Sequence, residues 1–296
     1  MQSKALQKHL LELIRRTSAE LPPDVAKAIA KGRRKEAPGS NAAYALDVVA
    51  DNVDLARTKS QPICQDTGTI ICYAELPDWV TEKAFRAAFE NAVAEATAVG
   101  YLRQNSIDSL NGRNSGNNLG PGSPVFHLGR TSARSLTVRV MLKGGGCENV
   151  GAQYSLPDTR LGAGRDLKGV RLCLLDAVHR AQGQGCGPGV LGVCIGGDRG
   201  TGYVASKEEL FRTLDDVNPD PALAKLEKQI TDEANSLGIG PMGFGGATTL
   251  LGCKIGHRNR LPASFFVSVS YMCWAFRRQG FQLTEAGKVT RWLYVE

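Results

Sequence analysis

A chain of 296 residues, 42% of them hydrophobic, has the volume for a sizeable core, in one large domain or two modest ones. Its net charge of +7 is carried by short scattered groups, KGRRK at 31–35 and FRRQ at 276–279, which lack the aromatic interleaving and Cys/His spacing of nucleic-acid binders. No apolar run reaches the ~18 residues of a membrane helix, and charged residues interrupt the N-terminal Leu and Ile positions where a secretory leader needs an apolar block; the reading is a cytoplasmic protein that binds neither nucleic acid nor membrane.

Residues 1–20 carry Leu and Ile at helical spacing and stop at Pro22-Pro23. Segments 24–30 and 41–58 read as two more helices, the second opened by Ser40-Asn41 as a cap. The stretch CQDTG at 64–68 leads into a β-rich run, 69–76, and a helix over 81–99 sets Phe85, Phe89, Ala92 and Ala96 on one face. Residues 102–124 hold so much Asn, Gly, Ser and Pro that most of the stretch forms no regular element; a loop of that length is functional or disordered. Strands are expected at 125–128 and 136–142, the second (LTVRVML) alternating cleanly and emptying into KGGGCEN. A helix over 165–182 leads into GQGCGPGVLGVCIGGDRGTG, with a short strand at 190–195 between glycine-rich turns. Helices near 207–214 and 221–237 follow, then IGPMGFGGATTLLGCKIG, a strand in ASFFVSVSYMCW and a tail ending VTRWLYVE. No repeat, low-complexity tract or evident linker divides the chain. The expected class is α/β (mixed α+β), one large domain over 1–296 with mixed β-sheets surrounded by helices, and a tail or linker from about 281.

The glycines around residue 190 could admit phosphate to backbone N–H groups, but no G-x-G-x-x-G opens a helix in a βαβ unit with an acid about 20 residues on, and no Walker-type motif is present. Eight cysteines in a reducing compartment do not form a disulfide frame. Cys72, Cys173, Cys194 and Cys253, flanked by Ile, Val, Leu or Gly, read as small buried hydrophobes. Cys64, Cys147, Cys186 and Cys273 have odder neighbours. Of the four histidines only His127 follows suspicious residues, and nothing pairs it with a thiol. No two cysteines show the C-x₂₋₄-C spacing of structural zinc. A remaining possibility is a metal held by cysteines distant in sequence, as in an iron–sulfur cluster whose one uncapped iron acts as a Lewis acid; spacing alone does not select which cysteines.

Read in order, CQDTG, KGGGCEN, GCGPGVLGVCIGG, GIGPMGFGG and ASFFVSVSYMCWAFRR resemble the α part of the iron–sulfur-dependent class I fumarate hydratase and L-tartrate dehydratase family, over about residues 40–280. The resemblance implies a [4Fe-4S] cluster ligated by Cys64, Cys186 and Cys273. It also implies that Gln65 and Asp66 contact the substrate's hydroxyl and carboxylate as catalytic and substrate-binding residues. Arg103 would clamp a carboxylate, for which a guanidinium fork is well shaped, and Gly146 would let backbone N–H groups approach the substrate. Lys143 reads either as a charge at the same mouth or as a solvated side chain. Cys147 stands where the family has serine, and Asn117 where it has an acid.

The family's catalytic unit includes a further C-terminal part, fused or as a separate β subunit, that supplies the base. The expectation is therefore an oligomeric hydro-lyase α subunit that hydrates fumarate to L-malate and needs a β subunit or domain for full activity. The alternatives are an L(+)-tartrate dehydratase α subunit and, in a different class, a non-catalytic iron–sulfur redox or sensor protein, which complete four-thiolate ligation would favour.

Overall fold

The period-two alternation of LTVRVML does form a strand: Leu136–Lys143 (β3) is central in a five-stranded sheet. Antiparallel neighbours flank it, Thr69–Leu76 (β1) and Arg277–Leu283 (β8). Val125–Arg130 (β2) pairs with β1 in parallel and Val289–Leu293 (β9) closes the other edge, giving the order β2-β1-β3-β8-β9. The structure, a computed structural model, describes residues 3 to 295 and separates into two compact units. This sheet belongs to the first, built from the chain up to Pro23, Asp51–Gly145 and the segment from Ala275.

One face of that sheet is covered by Ser3–Ala19 (α1) and Glu82–Ala98 (α4). The side chain of Thr81 accepts the Ala84 N–H and starts α4, and its apolar stripe, Phe85, Phe89, Ala92 and Ala96, is fully buried as its spacing requires. Each buried phenylalanine contributes about 1.5–3 kcal/mol from area alone.

The second unit, Asp24–Ala50 and Gly146–Trp274, holds a four-stranded sheet of order β4-β7-β5-β6: Ala152–Ser155 (β4), Phe266–Met272 (β7), Gly189–Gly196 (β5) and Leu250–Arg258 (β6). Leu167–Ala181 (α6) and Pro221–Ser236 (α8) pack into its core with Leu191, Val193 and Ile195 of β5. Arg199–Glu209 (α7) lies against the alternate residues of β5. Pro23–Arg33 (α2), whose body lies in this unit, and Asn41–Lys59 (α3) complete the long helices, and Gly145–Asn149 (α5) is a single turn after β3. No helix among the described residues is long and apolar enough to cross a membrane.

The mixed α/β class is as the sequence suggests, but several elements move. α7 starts at Arg199, not near 207, because the Asp198 carboxylate accepts the Gly200 and Thr201 N–H groups and caps a helix inside what reads as a glycine turn. The segment from 281, expected as a tail or linker, supplies the end of β8 and all of β9, with Phe281 and Leu283 fully buried. FRRQ is not a surface basic group: Arg277, Arg278 and Gln279 are at most 2% exposed.

Candidate functional site

In the first unit the candidate residues cluster where the stretch preceding β1 meets the end of β3. Cys64 is half-buried, and its sulfur accepts the Asp66 N–H at 3.4 Å. Gln65 is exposed beside it. The Asp66 carboxylate gathers three donors: Oδ1 accepts Gly68 N–H at 2.8 Å and Asn105 Nδ2 at 2.9 Å, and Oδ2 accepts Gly145 N–H at 2.6 Å. Gly68, at φ +75°, has to be glycine, because a Cβ there would overlap the Lys143 carbonyl.

Arg103 is brought to the same block through its backbone. The buried Thr67 hydroxyl donates to Arg103 O at 2.8 Å and accepts its N–H at 2.9 Å. Asn118, at φ +63°, donates to the same carbonyl and accepts the Asn105 N–H. The arginine side chain is left exposed. A cleft of about 220 Å³ opens here, lined by Gly68, Thr69, Asn105, Ser106 and Gly145 among others; that volume suits a ligand smaller than a drug-sized molecule. Lys143 is fully buried rather than solvated, and the His127 ring stacks on Tyr73 at 4.3 Å.

In the second unit the loop of Gly185 to Pro188 wraps the ring of Tyr271. A Cβ at Gly185 or Gly189 would overlap that ring, so both glycines are required for the approach. Cys186, on this loop, holds φ +54°, a strained value for a residue with a Cβ. The Trp274 N–H donates to Cys186 O at 3.3 Å, which sets Cys186 beside the end of β7 and Cys273. The Cys273 N–H in turn donates to the Cys147 sulfur at 3.2 Å. Burial, with the Cys273, Cys147 and Cys186 thiols around it, pushes the Tyr271 phenol well above its usual range. Gly146, the residue before Cys147, faces Gln184 O, which a Cβ would approach to 3.4 Å.

The structure thus groups Cys64, Gln65, Asp66 and Arg103 in one unit, and Cys186, Cys273 and Gly146 in the other. Sequence reasoning missed Asn105 and Asn118, although the Asn-rich loop that holds them was flagged. It also missed Tyr271, for which the flanking glycines of GQGCGPG were the available signal. The four cysteines read as core residues are buried, and burial raises their thiols: Cys173 to about 12, Cys194 to about 11, Cys72 and Cys253 higher. Among the described residues no group of three or more His, Cys, Asp or Glu is arranged to hold a single metal ion. A larger groove of about 600 Å³ along β4 and α6, lined by residues such as Tyr154, Asp158, Arg160 and Arg180, contains none of the candidate residues.

The family model for fumarate hydratase (Fumerase) matches residues 7–282. A protein of Geobacillus stearothermophilus described as a class I fumarate hydratase is 50% identical over 293 residues, 98% of this chain; the chain spans 57% of that relative's length. A Methanocaldococcus jannaschii protein described as an L(+)-tartrate dehydratase subunit alpha is 30% identical over 91% of this chain and 94% of its own length. The Escherichia coli K12 L(+)-tartrate dehydratase subunit alpha is 28% identical over 88% of this chain and 85% of its own.

Proposed function

Because this chain belongs to the fumarate hydratase (Fumerase) family, we propose that it is the cluster-bearing part of a hydro-lyase interconverting fumarate and L-malate. The observation that carries the reading is the tie of Cys64, Asp66 and the Arg103 backbone into one block, next to a small cleft lined by Asn105 and Gly145, two of the donors to Asp66.

Cys64, Cys186 and Cys273 are the proposed thiolate ligands of a [4Fe-4S] cluster. What supports that set is its chemistry. Thiolates suit iron–sulfur centres, the Asp66 N–H lies on the Cys64 sulfur, and the glycines around Cys186 let its loop wrap Tyr271 two residues from Cys273. When bound, such a group supplies an open iron that polarises a hydroxyl.

The chain's own residues bind and orient. Arg103 offers a fork to one carboxylate of the substrate. Gln65, exposed next to Cys64, is proposed to hydrogen-bond the substrate hydroxyl. Asp66, its oxygens already engaged by three N–H donors, fixes the loop that presents both and contributes charge toward the hydroxyl. Backbone at Gly146 is proposed to approach the dicarboxylate. Removal of the proton next to the hydroxyl-bearing carbon is assigned to a further part, since the class I relative extends well beyond the matched region. That part is a β subunit or domain, in an oligomeric cytoplasmic enzyme that contacts neither nucleic acid nor membrane.

The test is malate dehydration by the anaerobically reconstituted chain, with and without a β partner. Turnover only with the partner is expected, and strong activity from the chain alone refutes the two-part mechanism. The tartrate reading is favoured by one observation, the match in length to a tartrate dehydratase α subunit; parallel assays on malate and L-tartrate decide between them.

A further inference from the structure

Arg277 opens β8 and is 1% exposed, yet its Nε and Nη1 meet no acceptor among the described residues. A buried guanidinium without a counter-charge is destabilising. A trapped water could satisfy its donors but not its charge. On the same face of β8 the Gln279 Oε1 is itself without a partner, as is Ser18 Oγ at the end of α1.

Strand register locates the group. Leu142 pairs with Arg277 on one side and Ile70 on the other, and Thr69 pairs with Lys143. The first residue of β8, the end of β3 and the start of β1 therefore lie at one end of the sheet, the end that the Cys64 block enters. Opposed residues share a face, so Arg277 points to the α1 side with Leu142 and Ile70. On that side Gln279 Nε2 donates to Glu20 O, and Ile63, the residue before Cys64, donates its N–H to Ser18 O. The Asn52 amide holds the Ile63 carbonyl. The backbone leading to Cys64 is thus pinned over the same helix end that Arg277's strand packs against.

We propose that Arg277 is the buried counter-charge of the anionic thiolate centre at Cys64, a positioning residue that holds negative charge by its guanidinium. The inference rests on the cluster reading above and goes beyond it, because it assigns a charge that the ligand set does not require. A cluster held by three thiolates is net negative, and its potential follows the charge around it.

The experiment compares wild type, Arg277→Met and Arg277→Lys in the full chain, metal-free and after anaerobic reconstitution with ferrous iron and sulfide. Three quantities are read: melting temperature of the metal-free chain, iron bound per chain, and reduction potential of the bound centre by spectroscopic titration. R277M removes an uncompensated charge, so its metal-free form melts no lower than wild type. Its centre is retained at least tenfold less well or reduced at least tenfold less readily, the latter a shift of 59 mV downward for a one-electron couple. R277K keeps the charge and stays closer to wild type, and it carries the comparison if R277M does not fold.

A metal-free R277M that melts clearly lower, with loading and potential unchanged, shows a structural arginine and overturns the inference. Unchanged loading and potential with weaker malate binding also overturns it, in favour of a substrate carboxylate. If wild type itself takes up no cluster, the cluster reading fails first and this inference with it. A wild type and R277M that load equally, with the same potential, refute the inference alone.

Discussion

Replacing Asp66 with Asn tests whether the site block is ordered by one carboxylate. Oδ1 serves Gly68 N–H and Asn105 Nδ2, and Oδ2 serves Gly145 N–H. An asparagine has one oxygen and one NH₂. With the oxygen toward Gly68, the NH₂ faces the Gly145 N–H; with the amide flipped, it faces Gly68 N–H. Asn105 can turn its own amide to adapt, but one backbone donor loses its acceptor in either orientation. A lost charge-assisted bond of this kind costs about 1–3 kcal/mol, toward the low end because Asp66 is only half-buried. For a chain of this size that lowers the melting temperature by about 2–4 °C per kcal/mol. The same change loosens the turn whose Asp66 N–H lies on the Cys64 sulfur, so Cys64 alkylates faster than in wild type. Thermal melts and peptide mapping of maleimide-labelled protein read both effects. Asp66→Ala, which loses all three acceptors, should fall at least as far. A D66N protein that melts within about 1 °C of wild type, with Cys64 no more reactive, would mean that the carboxylate does not organise this block.

Three further outcomes are expected. Gly189→Ala drives a methyl into the Tyr271 ring and should cost about 1–3 kcal/mol by overpacking; an unchanged melting temperature in a fluorescence-monitored scan contradicts the packing described. In the metal-free chain the half-buried Cys64 and Cys186 should label faster than Cys72, Cys173, Cys194 and Cys253, whose thiols burial raises, and equal labelling of all six peptides contradicts it. Asp216 is pushed up by burial but held below the usual carboxylate range by Arg212 and by Lys254, which approaches it at 2.5 Å. Its contribution is complete above the unfolded carboxylate pKa of about 3.9 and drains away as pH falls through the lowered folded value. Asp216→Asn should therefore cost about 1–3 kcal/mol at neutral pH, after discounting for partial exposure. Denaturant unfolding should show that gap closing in acid, and a gap independent of pH down to the lowest pH at which the fold persists would refute the assignment.

The elements that local pattern dictates were visible in the chain itself. The period-two run of β3, the apolar stripe of α4 and the start of α8 at Pro221 depend only on neighbours within a few residues. So does the burial of Cys72, Cys173, Cys194 and Cys253 in their apolar surroundings, although Cys147 and Cys273 are buried as well. The motif blocks pointed to the family that the comparisons show, and nominated Cys64, Cys186 and Cys273 as its proposed ligands.

What remained hidden depends on partners far along the chain. FRRQ looks like a solvated basic group until β3 pairs with it, for only the fold decides that Arg277 and Arg278 lie inside. Asp66 reads as a reactive carboxylate, and only the fold shows its oxygens occupied by Gly68, Asn105 and Gly145, 79 residues away in the last case. Tyr271 and the Cys186 loop define each other, a fact no local window contains. Sequence sets the propensity and chemistry of each residue. Burial and hydrogen-bond partnership, which fix what that chemistry can do, exist only once the chain has folded.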